Sequence, residues 1–199
     1  MKFLKWLLII LLGLALLGFA GFQYMKYNTK KASPEETVVL DQGGTHIEVF
    51  YNRPSKRGRE IFGGLVPFNE VWRTGANEAT TFSTNVDLRV GDQVLPAGTY
   101  TLWTIPGPQE WTVIWNGKMY PWGVSWGEKA SREPEHDVLQ VQVPVETLPQ
   151  EVELFTIGLD GGSPLRLTLR WDRTGIGVPM VPANAHSSAA RSPAPERAP

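Results

Sequence analysis

Val86-Asp87-Leu88-Arg89-Val90-Gly91-Asp92-Gln93-Val94-Leu95-Pro96-Ala97-Gly98-Thr99-Tyr100-Thr101-Leu102-Trp103-Thr104-Ile105-Pro106-Gly107-Pro108-Gln109-Glu110-Trp111-Thr112-Val113-Ile114-Trp115-Asn116 reads as strands punctuated by turns. Val86–Val90 and Gln93–Leu95 flank Gly91-Asp92, a dipeptide suited to a two-residue hairpin turn with positive φ at its first position. Pro96-Ala97-Gly98 then turns the chain into Thr99–Ile105. Pro106-Gly107-Pro108-Gln109 turns it again into Glu110–Asn116. β-Branched and aromatic residues fill the strand positions, and no helical period fits them. The expectation is a run of adjacent antiparallel strands.

The pattern continues on both sides. Upstream, Val38–Leu40, a Gln42-Gly43-Gly44 turn and Thr45–Tyr51 read as opening strands; Thr45, Ile47, Val49 and Tyr51 alternate with His46, Glu48 and Phe50, the period of a half-buried strand. Downstream, Asp137–Val143 and Val152–Leu159 alternate, and Asp160-Gly161-Gly162-Ser163 leads into Leu165–Trp171. There Leu165, Leu167, Leu169 and Trp171 share one face and Arg166, Thr168 and Arg170 the other. Asn116–Glu135, rich in Gly, Pro and aromatics, reads as a long surface loop. Short strands at this spacing with Gly and Pro turns predict an all-β domain, an antiparallel β-sandwich or open barrel, over 38–182. Residues 183–199 are rich in Ala, Ser and Pro and lack the apolar content to fold, so they are expected to form a disordered tail.

The N-terminus obeys different rules. From Trp6 to Phe22 every residue is apolar or Gly, and the run reaches Met25 if Gln23 is tolerated. About twenty helical residues span roughly 30 Å, a bilayer core. Trp6, Tyr24 and Tyr27 sit where interfacial aromatics belong. Residues 1–25 are therefore expected to form one N-terminal transmembrane helix contacting the lipid bilayer through residues 6–25, with 26–37 as a polar linker. The competing reading is a signal segment cleaved near Ala20, after the small-x-small pattern Gly18-Phe19-Ala20. The short basic leader of Lys2 and Lys5 is expected to stay inside, which puts the domain on the periplasmic side of the inner membrane; cleavage would secrete it instead.

Composition narrows the chemistry. The chain has 199 residues, a formal net charge of −1 and no Cys. Disulfides, thiolate metal sites and a catalytic thiol are excluded. The charge balance argues against nucleic acid as a partner. Two internal His, His46 and His136, lack metal-site spacing, so no metal or other cofactor is expected. No Gly-rich phosphate loop or dinucleotide fingerprint is present.

The densest polar stretch is Glu70-Val71-Trp72-Arg73-Thr74-Gly75-Ala76-Asn77-Glu78-Ala79-Thr80-Thr81-Phe82, preceded by the cationic Arg53-Pro54-Ser55-Lys56-Arg57-Gly58-Arg59. Arg73, Asn77 and Glu78 around Gly75, walled by Trp72 and charged by Arg53 and Arg59, are candidate ligands for a glycan or a small anionic molecule. Trp122 and Trp126, on a Gly-containing loop, are candidate stacking rings. The alternative is that Glu70 or Glu78 pairs with Arg73 or Arg59 merely to pin the loop. An envelope hydrolase using Glu78 or His46 as general base is the enzymatic alternative, with Ser55 or Thr74 as a nucleophile beside His46 and Asp41. Trp103, Trp111, Trp115 and Trp171 fall on strands and are expected in the core.

Arg53-Pro54-Ser55, Gly58-Arg59, Ile61-Phe62-Gly63-Gly64-Leu65-Val66-Pro67, Val71 to Thr80, Leu95-Pro96-Ala97-Gly98-Thr99-Tyr100 and Glu110-Trp111-Thr112-Val113-Ile114 closely resemble the bacterial domain of unknown function 2911 family. The resemblance extends through Trp122-Gly123, Asp137-Val138-Leu139, Phe155-Thr156-Ile157 and Leu167 to Pro179, covering about residues 41–182. It implies an exported or membrane-attached β domain and carries over no activity. Members usually have a cleavable-looking leader, from which the longer, aromatic-flanked segment here departs. A non-catalytic ligand-binding or envelope-interaction module is the expected function.

Overall fold

The computed structural model describes residues 2–125 and 129–183. After helix α1 (Lys2–Ala32), ten strands follow: β1 (Glu35–Gln42), β2 (Thr45–Asn52), β3 (Thr81–Thr84), β4 (Leu88–Val90), β5 (Gln93–Leu95), β6 (Gly98–Pro106), β7 (Glu110–Asn116), β8 (Asp137–Pro144), β9 (Glu146–Asp160) and β10 (Leu165–Pro182). They form two antiparallel sheets, one of order β1-β2-β3-β6-β7-β8 and one of order β5-β4-β10-β9. The domain is a sandwich rather than a barrel. Beyond α1, a 3-10 turn spans Pro134–His136.

The alternation read from the sequence decides which side chains enter the core. Ile47, Val49 and Tyr51 of β2, Trp111, Val113 and Trp115 of β7, and Leu165, Leu167, Leu169 and Trp171 of β10 are all buried between the sheets. Trp103 and Ile114 point the other way. They form a second cluster with Ala79 on the outer face of the large sheet, packed by Val71, Ile105, Tyr120 and Ala130. That face is therefore covered in part by Val71 and Ala79 on one side and Tyr120 and Ala130 on the other, and Tyr120 meets Trp103 edge to face at 5.5 Å. Within Asn116–Glu135, expected as a long surface loop, Tyr120 and Ala130 are half-buried against this cluster.

The hairpin reading holds at Gly91, whose φ is +58°, and at the β6–β7 pair. It is corrected at Pro96-Ala97. β5 and β6 are not neighbours: β5 ends in the small sheet, while β6 pairs with β3 and β7 in the large one. Ala97 N–H donates to Asp87 Oδ1 at 2.8 Å and the Tyr100 hydroxyl to Pro96 O at 2.7 Å. These bonds fix the turn as a corner between sheets.

α1 has 31 residues, about 46 Å of helix, and is long and apolar enough to cross a bilayer, with none of its apolar window buried. The segment 26–37, expected as a linker, is helix to Ala32 and strand from Glu35, leaving Ser33-Pro34 as the junction. Arg53 N–H donates to Pro34 O at 2.8 Å, and Lys30 Nζ lies 3.3 Å from Glu78 Oε1. The tail expected at 183–199 falls, beyond Ala183, outside the described residues.

Candidate functional site

The long connection between β2 and β3 carries most of the candidate residues. After Asn52 the chain crosses to the small sheet, where Lys56 N–H donates to Glu153 O and Phe155 N–H to Pro54 O. The Ser55 hydroxyl and the Arg57 N–H both donate to the Glu153 carboxylate, and they hold it below the usual carboxylate range. The basic turn is thereby pinned to β9. Ile61–Val66 closes a tight bend around Gly63, with Val66 N–H donating to Ile61 O at 2.8 Å.

Trp72 then rejoins the large sheet beyond the end of β3. Its N–H donates to Thr104 O at 2.7 Å and its carbonyl accepts from Thr104 N–H at 3.0 Å. Its ring stacks on Trp171 at 5.9 Å and meets the edges of Phe155, Phe62 and Trp111. From there the backbone bends sharply: Thr74 and Asn77 have φ of 55° and 56°, and Gly75 has φ 150°. A Cβ at Gly75 would lie 2.9 Å from Asn52 O, so the position requires glycine. Such conformations persist only when neighbours over-determine them. Here Thr80 Oγ1 donates to Thr74 O at 2.8 Å, Asn77 Nδ2 to Asn52 Oδ1 at 3.3 Å, and Asn52 Nδ2 to Glu78 Oε2 at 3.1 Å.

The second candidate loop docks on the first. Gly123 N–H donates to Asn77 O at 2.9 Å. A Cβ at Gly123 would lie 2.4 Å from Arg73 Cδ, so the glycine makes room for the arginine stem. Asp137 anchors the far end of this loop. Its carboxylate accepts from Arg132 Nε at 2.9 Å, Asn116 Nδ2 at 2.9 Å and Gln140 Nε2 at 2.8 Å, and pairs with Arg132 Nη2. Burial alone would push that carboxyl up, but these bonds and the Arg132 charge outweigh it and hold it low.

The result is an open cleft of about 960 Å³ lined by Arg59, Trp72, Arg73, Asn77 and Trp122 among others. Five candidate residues separated by up to sixty-three positions in sequence come together there. Arg57, Glu70, Lys129 and Trp171 also line it, as do Thr29, Ala32 and Ser33 at the end of α1. Of the remaining candidates, Arg53 is spent on Glu36, Phe155 O and Thr156. Glu78 turns to Asn52 and Lys30, and neither Arg53 nor Glu78 is among the cleft-lining residues. Trp126 lies outside the described residues. Lys129 and the α1 residues carried no sequence signal, since a lone lysine and a helix end look ordinary.

The triad considered for a hydrolase is not assembled. His46 Nδ1 does contact Asp41 Oδ1 at 2.6 Å. However, His46 lies near the start of β2, about 20 Å along the strand from Asn52, whereas Thr74 bonds Thr104 and Ser55 bonds Glu153. Glu133, Glu135 and His136 bring three potential ligand atoms within 4.8 Å of one another. Lys118 and His136 already engage Glu133.

The sequence profile described as "Protein of unknown function (DUF2911)" matches residues 33–180. No curated protein and no solved structure matches the chain. The match begins where α1 ends and spans both sheets and every cleft residue contributed by the β domain: the chain belongs to the DUF2911 family.

Proposed function

We propose that this is a membrane-anchored binding module that takes a glycan or small anionic ligand in the cleft, with its β domain outside the cytoplasm on the periplasmic side of the inner membrane. The convergence of Arg59, Trp72, Arg73, Asn77 and Trp122 on one concavity carries the reading. Its volume is in the range of small-molecule sites, and it combines aromatic walls with a few polar groups. Binding is favoured over hydrolysis because neither base considered for a hydrolase, Glu78 or His46, lines the cleft.

The test is titration of the detergent-solubilised full chain with a uronate-bearing oligosaccharide and with pyrophosphate, following tryptophan emission and melting temperature. A binder present at a hundred times its Kd stabilises the fold by about 2.7 kcal/mol. The expected result is a saturable response to at least one probe that Arg59→Ala/Arg73→Ala abolishes. No saturable response to either probe overturns the reading.

A further inference from the structure

The end of the anchor forms part of the cleft wall. Thr29, Ala32 and Ser33 line it alongside Arg57, Arg59 and Trp72. The apolar run of α1 ends near Met25, and the seven residues from there to Ala32 rise about 10 Å. Beyond the hydrocarbon core, the headgroup layer of one leaflet is about 5 to 8 Å thick. The rim of the cleft therefore stands at the outer edge of the headgroups. The domain has little freedom to swing away, because Ser33-Pro34 is the whole junction and the Arg53–Pro34 and Lys30–Glu78 contacts brace it.

Charge adds a second, independent observation. The chain as a whole carries −1, yet among the described residues the cleft is lined by Arg57, Arg59, Arg73 and Lys129 against the single carboxylate of Glu70. No salt bridge engages Arg57, Arg59 or Lys129 among the described residues. Lys31 lies at the same end of α1, where Lys30 is already paired with Glu35 and Glu78. A cationic concavity with low-dielectric walls concentrates anions, and guanidinium groups match phosphate oxygens in geometry.

Resting on the cleft being a ligand site, we propose that its occupant is the phosphate-bearing headgroup of an anionic lipid presented by the bilayer in which α1 is embedded. The phosphate sits among Arg57, Arg59, Arg73 and Lys129, and the glycerol or sugar part of the headgroup lies against Trp72 and Trp122. A zwitterionic headgroup is disfavoured because its ammonium meets the same cations.

The experiment uses the full chain carrying Trp122→p-benzoylphenylalanine in nanodiscs of phosphatidylcholine with and without phosphatidylglycerol, with photocrosslinked lipid identified by mass. Capture of phosphatidylglycerol over phosphatidylcholine, reduced about tenfold by Arg57→Gln/Lys129→Gln, is expected, since each basic group near an anionic surface contributes several-fold. These two side chains are exposed, and the equal charge change in Arg89→Gln/Arg170→Gln, away from the cleft, is expected to leave capture unchanged. Equal loss in both variant pairs, or equal capture of the two lipids, overturns the proposal. If phosphatidylglycerol is not captured while pyrophosphate still binds in solution, the lipid source is wrong and the cleft remains a site. If no probe binds in either setting, both readings fall.

Discussion

Replacing Asp137 by Asn tests whether the loop carrying Trp122 is held by one buried carboxylate. The side chains of Arg132 and Asp137 are only 10% and 8% exposed, and four donors converge on the two carboxylate oxygens: Arg132 Nε, Arg132 Nη2, Asn116 Nδ2 and Gln140 Nε2. A carboxamide offers one oxygen. Its NH2 would confront two of those donors and leave Arg132 as a buried cation without a counter-charge. Breaking a buried pair on one side costs about 3–5 kcal/mol, which for a domain of this size is a fall in Tm of about 10 °C. The pH dependence supplies a second readout. The Asp137 carboxyl is held low in the folded protein, so its contribution is fully present above the ordinary aspartate pKa and is lost as pH falls through the depressed folded value. Denaturation of the detergent-solubilised full chain, followed by tryptophan emission, is therefore expected to show a wide gap between wild type and Asp137→Asn at pH 7 that narrows below about pH 4. A loss under about 1 kcal/mol at pH 7, in the range of an exposed pair, or a gap independent of pH would refute the argument.

Gly75→Ala is expected to destabilise by about 2 kcal/mol or more and to weaken probe binding, because the Cβ meets backbone Asn52 O at 2.9 Å and φ is 150°; thermal melts check the first effect and probe titration the second. Tyr51 is pushed up to about 12, chiefly by burial, so absorbance titration should show one tyrosine ionising about two units after exposed ones, with stability falling as pH rises above 10. Tyr51→Phe removes the acceptor for Ile157 N–H at 3.0 Å and should cost about 1–3 kcal/mol in a denaturant titration. Trp72→Ala strips a ring from four aromatic neighbours and should cost about 3 kcal/mol. Trp122→Ala, half-buried on a loop, should cost less than Trp72→Ala while impairing binding.

The fold was legible wherever one face of a strand is wet. β2, with Ile47, Val49 and Tyr51 inward and His46 and Glu48 outward, announces itself, as does β10 through Leu165 to Trp171. β6 is different: Tyr100 to Thr104 are buried without a break, because Leu102 faces the main core while Trp103 faces the second cluster. Alternation then carries no information about which side is core. The same limit hid the corner at Pro96-Ala97. A hairpin turn and an inter-sheet corner use the same residues, and what separates them is a distant choice, namely that β3 rather than β5 takes the edge of β6.

The site was legible as composition and not as geometry. Polar groups crowding Gly75 signalled a rigid bend because a loop open to water has no use for so many partners, and Trp72, Arg73 and Asn77 do converge on a cleft. Their meeting with Trp122 depends on a hydrogen bond from Gly123 to Asn77 and on the absence of a side chain at Gly123 beneath Arg73, neither of which has a local signature. Asn52 is the sharper case. It ends an ordinary strand, yet it is fully buried, accepts from Asn77 and donates to Glu78, whose other oxygen meets Lys30 of α1. One amide thus couples the strained bend to helix α1. Asn52→Ala, by leaving buried partners unpaired, should loosen both together, a joint effect that no reading of neighbouring residues along the chain would foresee.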